Sequence, residues 1–315
     1  GKYRFALTGT PIENSLAELW SIFDFLMPQY LYNYHHFKET YEIPIIKNED
    51  QEKQAKLKRF VEPFILRRTK KDVLTELPDK IENNVLIPFT PDEEKVYLAN
   101  LSTINTELQS AIQVNHIDKI QILAMMTRLR QLCCDQRILY NNVQEPSSKL
   151  KACMDIIETA KENEQKVLLF SSFTKSLDLI EAELRKKDIS YYVLTGATTK
   201  IKRHQLVNAF QNDKTTVFLI SLKAGGTGLN LTSASTVIHF DPWWNMSAQN
   251  QATDRAYRIG QTNNVQVYKL IMKNSIEEKI QKLQEQKQDL SNMFIENNHG
   301  SITQMSAADI IDLFK

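Results

Sequence analysis

Cysteine is scarce in this sequence. Cys133 and Cys134 are adjacent and Cys153 stands alone among 315 residues, so there is neither a disulfide framework nor a paired-cysteine zinc motif. Such thiols are expected to be buried in a reducing compartment. The six histidines are scattered, and the one pair, His35-His36, lies among aromatics without a cysteine or carboxylate cluster; no metal site is expected. Excess charge is missing too, since 39 Lys and Arg balance 38 Asp and Glu. A nucleic-acid site would therefore have to be a local patch. No apolar run approaches the roughly 18 residues of a membrane span, and the longest, near Val217–Leu222, ends at Lys223. The chain opens Gly1-Lys2-Tyr3-Arg4 without a signal peptide or a methionine, which leads us to expect a piece of a longer protein. The expected location is cytoplasmic, at the bacterial nucleoid, or nuclear in a eukaryote. Repeats and low-complexity segments are absent. What remains is an ordinary globular composition, 42% hydrophobic and 24% charged, which excludes disorder and fibres and suits two domains or one large one.

The first 80 residues read as helical. Leu16, Leu19, Trp20, Phe23, Leu26 and Met27 recur at helical spacing behind a Ser15/Glu18 capping box, and Pro28 closes the segment. Glu49–Phe60 reads as a charged helix, and Leu77-Pro78-Asp79-Lys80 as a linker. A helical block follows from Thr90 to Tyr140, opened by Thr90-Pro91-Asp92-Glu93, and Asn141–Ser148 reads as a loop. Beyond residue 150 short apolar runs at Val167–Phe170, Tyr191–Leu194, Val217–Ile220, Thr236–Phe240 and Val265–Leu270 predict buried strands. Helical stretches at Lys175–Lys187, Lys200–Phe210 and Ser247–Tyr257 lie between them. Strand and helix alternating at this pitch predict a parallel sheet flanked by helices, with ligands at the carboxyl ends of its strands. Ser275, with Glu278, opens a long helix with Ile276, Ile280, Leu283, Leu290 and Phe294 on one face.

Four clusters carry chemistry. They are Leu7-Thr8-Gly9-Thr10-Pro11-Ile12-Glu13-Asn14; the strand end Ser171-Ser172-Phe173-Thr174; the run Ser221–Asn230 with Gly225, Gly226 and Gly228, continued by Asp241-Pro242-Trp243-Trp244-Asn245; and Gln251–Gln261 with Arg255 and Arg258. Taken singly each has an ordinary reading. A Gly-Thr-Pro makes a turn, glycines after a strand are more often structural than phosphate-binding, paired tryptophans pack, and arginines three apart form a solvated helix face.

In this order and spacing the clusters resemble the C-terminal part of a Swi/Snf (switch/sucrose-non-fermenting) family DNA-dependent ATPase of helicase superfamily two. The resemblance extends through Phe64–Lys70, Arg130-Gln131-Leu132-Cys133-Cys134-Asp135 and Lys149-Leu150. It implies an α/β fold: a RecA-like second lobe of the P-loop NTPase type, over 81–315, with a helical insertion at 90–140 and a brace helix at 275–294, preceded by a helical remnant of the first lobe over 1–80. It also implies an ATP-dependent translocase on double-stranded DNA, indifferent to base sequence, monomeric and without a membrane partner. Arg255 and Arg258, supported by Gln251, would be arginine fingers on the triphosphate, a role a guanidinium fork suits. Gly226, Gly228, Gly9 and Thr10 would line the ATP cleft, and Lys223, Gly225, Trp244, Arg203 and Gly196 would meet DNA. ATP with Mg2+ would be held mainly by a first lobe, because the chain contains neither a Gly-x-x-x-x-Gly-Lys-Ser/Thr loop nor an Asp-Glu pair placed after a strand to hold magnesium. It would carry half an active site and be inactive alone. Met246, Ser172, Gln136 and Thr195 stand where the family has proline, glutamine, proline and aspartate. A strand-separating helicase and a non-enzymatic DNA- or protein-docking module on a RecA scaffold are the alternatives.

Overall fold

The computed structural model describes residues 3–7, 16–48, 50–66, 77–113, 119–225, 229–243 and 246–282. Contacts divide the chain into two compact units. Residues up to 75 make the body of the first, and Glu76–Trp243 with Ala248–Gln281 that of the second.

The first unit is helical. Its elements are α1 (Leu16–Leu26), α2 (Tyr34–Phe37), a single π turn (Lys38–Glu42), α3 (Ile43–Asn48) and α4 (Gln51–Val61). Leu16, Leu19 and Phe23 form one buried stripe on α1, as their spacing predicts, and meet Phe37, Tyr41, Leu57 and Val61 in a common core. Asn33 accepts from His36 N at 2.8 Å and Asp50 from Lys53 N at 3.0 Å, so α2 and α4 begin where a side chain satisfies a free amide. Ser15, the expected cap of α1, lies outside the described residues.

The second unit is built on a six-stranded sheet in the order β1-β6-β5-β2-β4-β3. The strands are β1 (Lys80–Ile87), β2 (Lys166–Ser171), β3 (Tyr191–Leu194), β4 (Val217–Ser221), β5 (Ala234–His239) and β6 (Val265–Met272), and every pairing is parallel. Every residue of β4 and β5 is buried, the mark of strands covered by helices on both faces. Five strands fall where the apolar runs put them. The sixth corrects the reading of 77–80 as a linker, since Lys80 already begins β1. This edge strand is polar and half-exposed, and among the described residues it pairs with β6 alone. Glu82 on β1 binds Lys80 and Lys269, each at 2.6 Å. Burial opposes its charge, yet the two lysines hold its carboxyl down to about 2.

The helices of this unit are α5 (Pro91–Gln113), α6 (Lys119–Cys134), α7 (Ser148–Glu162), α8 (Thr174–Lys186), α9 (Lys200–Asn212), the single turn α10 (Leu222–Gly225), α11 (Met246–Thr253), and α12 over residues 276–282. Thr90 and Glu93 form the expected reciprocal cap of α5. The Ser275/Glu278 box is displaced by one residue: Glu278 accepts from Asn274 N at 2.8 Å, and Ser275 Oγ from Glu277 N at 3.1 Å. Leu283, Leu290 and Phe294 lie outside the described residues. Helix α11 stops at Thr253, four residues short of the predicted Tyr257, because residues 254–260 fold into successive turns.

Two fully buried charges, one from α7 and one from α12, face each other. Lys149 Nζ donates to Glu277 Oε1 at 2.7 Å and Oε2 at 2.5 Å, and Met272 N adds a third donor at 2.9 Å. Burial disfavours the ammonium, but the adjoining carboxylate overcomes this and raises the Lys149 pKa above its ordinary value. Cys133, Cys134 and Cys153 are buried as expected, and burial pushes their thiols well up.

Candidate functional site

The carboxyl ends of β2, β4 and β5 and the turns after α11 carry the described residues of the second, third and fourth clusters. Arg255 and Arg258 are not on one helical face, since α11 ends before both. They share a tight turn, in which Arg258 N donates to Ala256 O at 3.1 Å and Gln261 N to Arg258 O at 2.9 Å. The two cations are near enough to interact. Burial and then the positive charge of Arg258 lower the Arg255 pKa, with Asp254 opposing. Arg255 is half-buried and Arg258 exposed, and among the described residues no hydrogen bond or ion pair engages the Arg258 guanidinium. Gln251 lies half-buried on α11, before the turn. Gln261 fastens the far end: its amide donates to Ala234 O and Ala256 O at 2.8 and 3.1 Å, and its carbonyl accepts from Thr262 N and Asn263 N.

The segment after β4 runs beside this turn. Lys223 and Gly225 lie in α10, a single helical turn. Arg203 on α9 donates to Ala224 O at 3.2 Å, and seven residues on Leu231 N donates to Arg255 O at 3.0 Å. The structure thus brings Arg203, α10 and the arginine turn onto one stretch of chain. Gly196 sits in the turn between β3 and α9, and a methyl group there would meet nothing within 4 Å, so steric need does not explain this glycine. Gly226, Gly228, Trp244, Gly9 and Thr10 lie outside the described residues.

Sequence reasoning missed the buried polar cluster around Asp241, just beyond β5. Asp241 is 0% exposed and its partner Arg130, on α6, 5%. Asp241 Oδ1 accepts from Ser171 Oγ at 2.6 Å and Ser172 N at 3.0 Å, and Oδ2 accepts from Ser172 Oγ and from Arg130 at 3.0 Å. These partners lie 70 and 111 residues away in sequence, so no local spacing could reveal them. The polar Ser171-Ser172 pair ending an apolar strand was the one available signal.

A second buried contact joins β5 to α11. His239 Nε2 and Thr253 Oγ1 are 2.8 Å apart, and Thr253 Oγ1 also donates to Gln249 O at 3.3 Å. Burial, then the positive charge of Lys269, lowers the His239 pKa to about 3, so the ring is neutral in the physiological range. Among the described residues no group of three His, Cys, Asp or Glu side chains could hold a metal ion.

Comparison with known proteins adds to this geometry. Residues 1–138 match the model of the SNF2-related domain, and residues 148–260 that of the helicase conserved C-terminal domain. The whole chain is 39% identical to an uncharacterized ATP-dependent helicase of Mycoplasma genitalium, covering 30% of that protein. The chain thus spans about a third of the length of the relatives it matches. The Sulfolobus solfataricus SWI2/SNF2 ATPase core in complex with dsDNA is 37% identical, with a TM-score of 0.62 over 99% of this chain and 66% of that one. The Sulfolobus solfataricus SWI2/SNF2 ATPase C-terminal domain is 30% identical, with a TM-score of 0.60 over 75% of this chain and 98% of that one.

Proposed function

Because the chain belongs to the SNF2 family of ATP-dependent helicases, we propose that it is the C-terminal helicase lobe, with the end of the first, of an ATP-driven translocase on double-stranded DNA. One observation supports this reading above the others. The stretch from α10 to Leu231, with its candidate DNA contacts, is bonded at one end to Arg203 and at the other to the backbone of Arg255. A duplex pulling on that stretch would pull on the arginine turn. A solved relative bound to dsDNA supports a duplex ligand.

In this reading Arg258, exposed and uncommitted to any acid among the described residues, reaches the γ-phosphoryl group of ATP as charge builds on its oxygens. Arg255 supports it from the half-buried position. ATP with Mg2+ supplies the transferable phosphoryl group, and this chain contributes the guanidinium charge. Residues that cradle the nucleotide and the metal belong elsewhere, since the sequence has no phosphate-binding Gly-Lys-Ser/Thr loop.

The isolated chain should hydrolyse ATP no faster than background, with or without duplex DNA, because nothing holds the nucleotide in line with water. A purified-chain ATPase assay checks this, and DNA-stimulated turnover would overturn the half-site reading. DNA affinity should be indifferent to base sequence and fall steeply between about 50 and 200 mM salt, as for contacts made to phosphates. In the full-length protein Lys223→Ala should lower DNA-stimulated turnover more than basal turnover. Marked preference for one base sequence would remove these residues from the proposed interface.

A further inference from the structure

The Pro242–Trp243 peptide is gripped at both ends. Its carbonyl accepts from Arg130 NH2 at 2.9 Å, and its N–H donates to Gln249 Oε1 at 3.3 Å. The same guanidinium nitrogen donates to Ser172 Oγ and to Asp241 Oδ2, both at 3.0 Å. The guanidinium carbon stands 5.1 Å from the Phe173 ring centre and 5.6 Å from that of Trp243. One buried side chain therefore fixes the loop after β2, the carboxylate after β5 and the plane of the Pro242–Trp243 peptide. Ordinary core packing does not require this. An apolar residue would fill the space between two aromatic rings without importing a charge, and a buried charge costs energy unless its partners are all in place.

We infer that Arg130 is a positioning residue: with Gln249 it fixes the plane of the Pro242–Trp243 peptide, which Trp244 follows in sequence, and so makes the α5–α6 helical segment part of the DNA-coupling apparatus. The inference rests on the duplex-translocase reading above. It gives that segment a task other than decorating the lobe. It also identifies a residue that touches neither DNA nor ATP yet governs the response to DNA. The requirement is for a planar cation that lies against the Phe173 and Trp243 rings while it donates, which the compact ammonium of lysine does not supply.

The test uses the full-length protein and its duplex-stimulated ATPase, titrated separately with DNA and with ATP. Three variants cover the clamp. Arg130→Lys keeps the charge. Arg130→Met with Asp241→Asn removes both charges, so that no buried ion is left unpaired. Gln249→Met releases the peptide from its other side. Each should raise the DNA concentration for half-maximal stimulation by about tenfold or more, a modest fraction of what a misplacement of about 1 Å can cost. The ATP concentration for half-saturation should move less than about twofold on the same scale. The neutral double variant should also melt near the parent temperature while its DNA response stays impaired, a split that a purely structural role would not produce. The inference is overturned if the double variant or Gln249→Met regains the parent's half-stimulating DNA concentration, whatever their stability. A parent protein whose turnover ignores duplex DNA would instead overturn the translocase reading, and the inference with it.

Discussion

Arg258→Ala in the full-length protein should lower kcat for ATP by about 10³–10⁵ while leaving ATP affinity within a few-fold of the parent. The loss corresponds to about 4–7 kcal/mol of barrier. It is asked of an interaction that strengthens only as charge develops on the transferring phosphoryl group, so it falls on turnover and not on binding. The surroundings of Arg258 suit that task. Its side chain is exposed and engages no acid among the described residues, while its backbone is pinned on both sides within the turn. Arg258→Lys should rescue poorly, because an ammonium cannot present a planar fork. Arg255→Ala should resemble Arg258→Ala, and the double variant should be little worse than either if both act on one transition state. Turnover and nucleotide affinity measured on the same protein decide the matter. A solvated surface arginine would leave both unchanged, and near-normal turnover in Arg258→Ala would remove it from the proposed mechanism.

The largest expected effect on stability lies at Lys149. Replacing it with methionine strands the Glu277 carboxylate in a fully buried site, and breaking such a pair from one side costs about 3–5 kcal/mol. Urea unfolding should show the loss as a lower midpoint with a near-constant slope. Adding Glu277→Gln should recover most of it, since the charge is gone while an acceptor for Met272 N remains. Lys149→Met alone behaving like the parent would mean that the carboxylate takes up a proton and relaxes at little cost.

These two sites mark the limit of what the sequence could say. Strands β2 to β6 were legible because buried parallel strands are written as unbroken apolar runs. Strand β1, Lys-Ile-Glu-Asn-Asn-Val-Leu-Ile, carries no such run, because an edge strand keeps one side in water. The boundary of α11 was misread because Ala252 and Ala256 continue a helical spacing; both are buried in the same core, but the backbone has already turned. Helix α7 passed unnoticed although Ser147 caps it, accepting from Leu150 N at 3.1 Å. Its Lys149 looks like a surface residue until Glu277, 128 residues later, is folded against it. Arg130 stood in a stretch whose pattern was recognised and whose physical purpose was not, for the same reason of distance.

Strand β1 also fixes an order of events. Among the described residues its sole partner strand is β6, and the hydrogen bond that closes the pair at its start, Asp79 N to Asn264 Oδ1, spans 185 residues. A ribosome adding about 5–20 residues per second delivers the partner roughly 10–40 seconds after β1 itself emerges. Through that interval β1 must stay unpaired beside growing neighbours, where an apolar strand of equal length would invite pairing with another chain. Its two asparagines, its glutamate and its leading lysine let it wait in water.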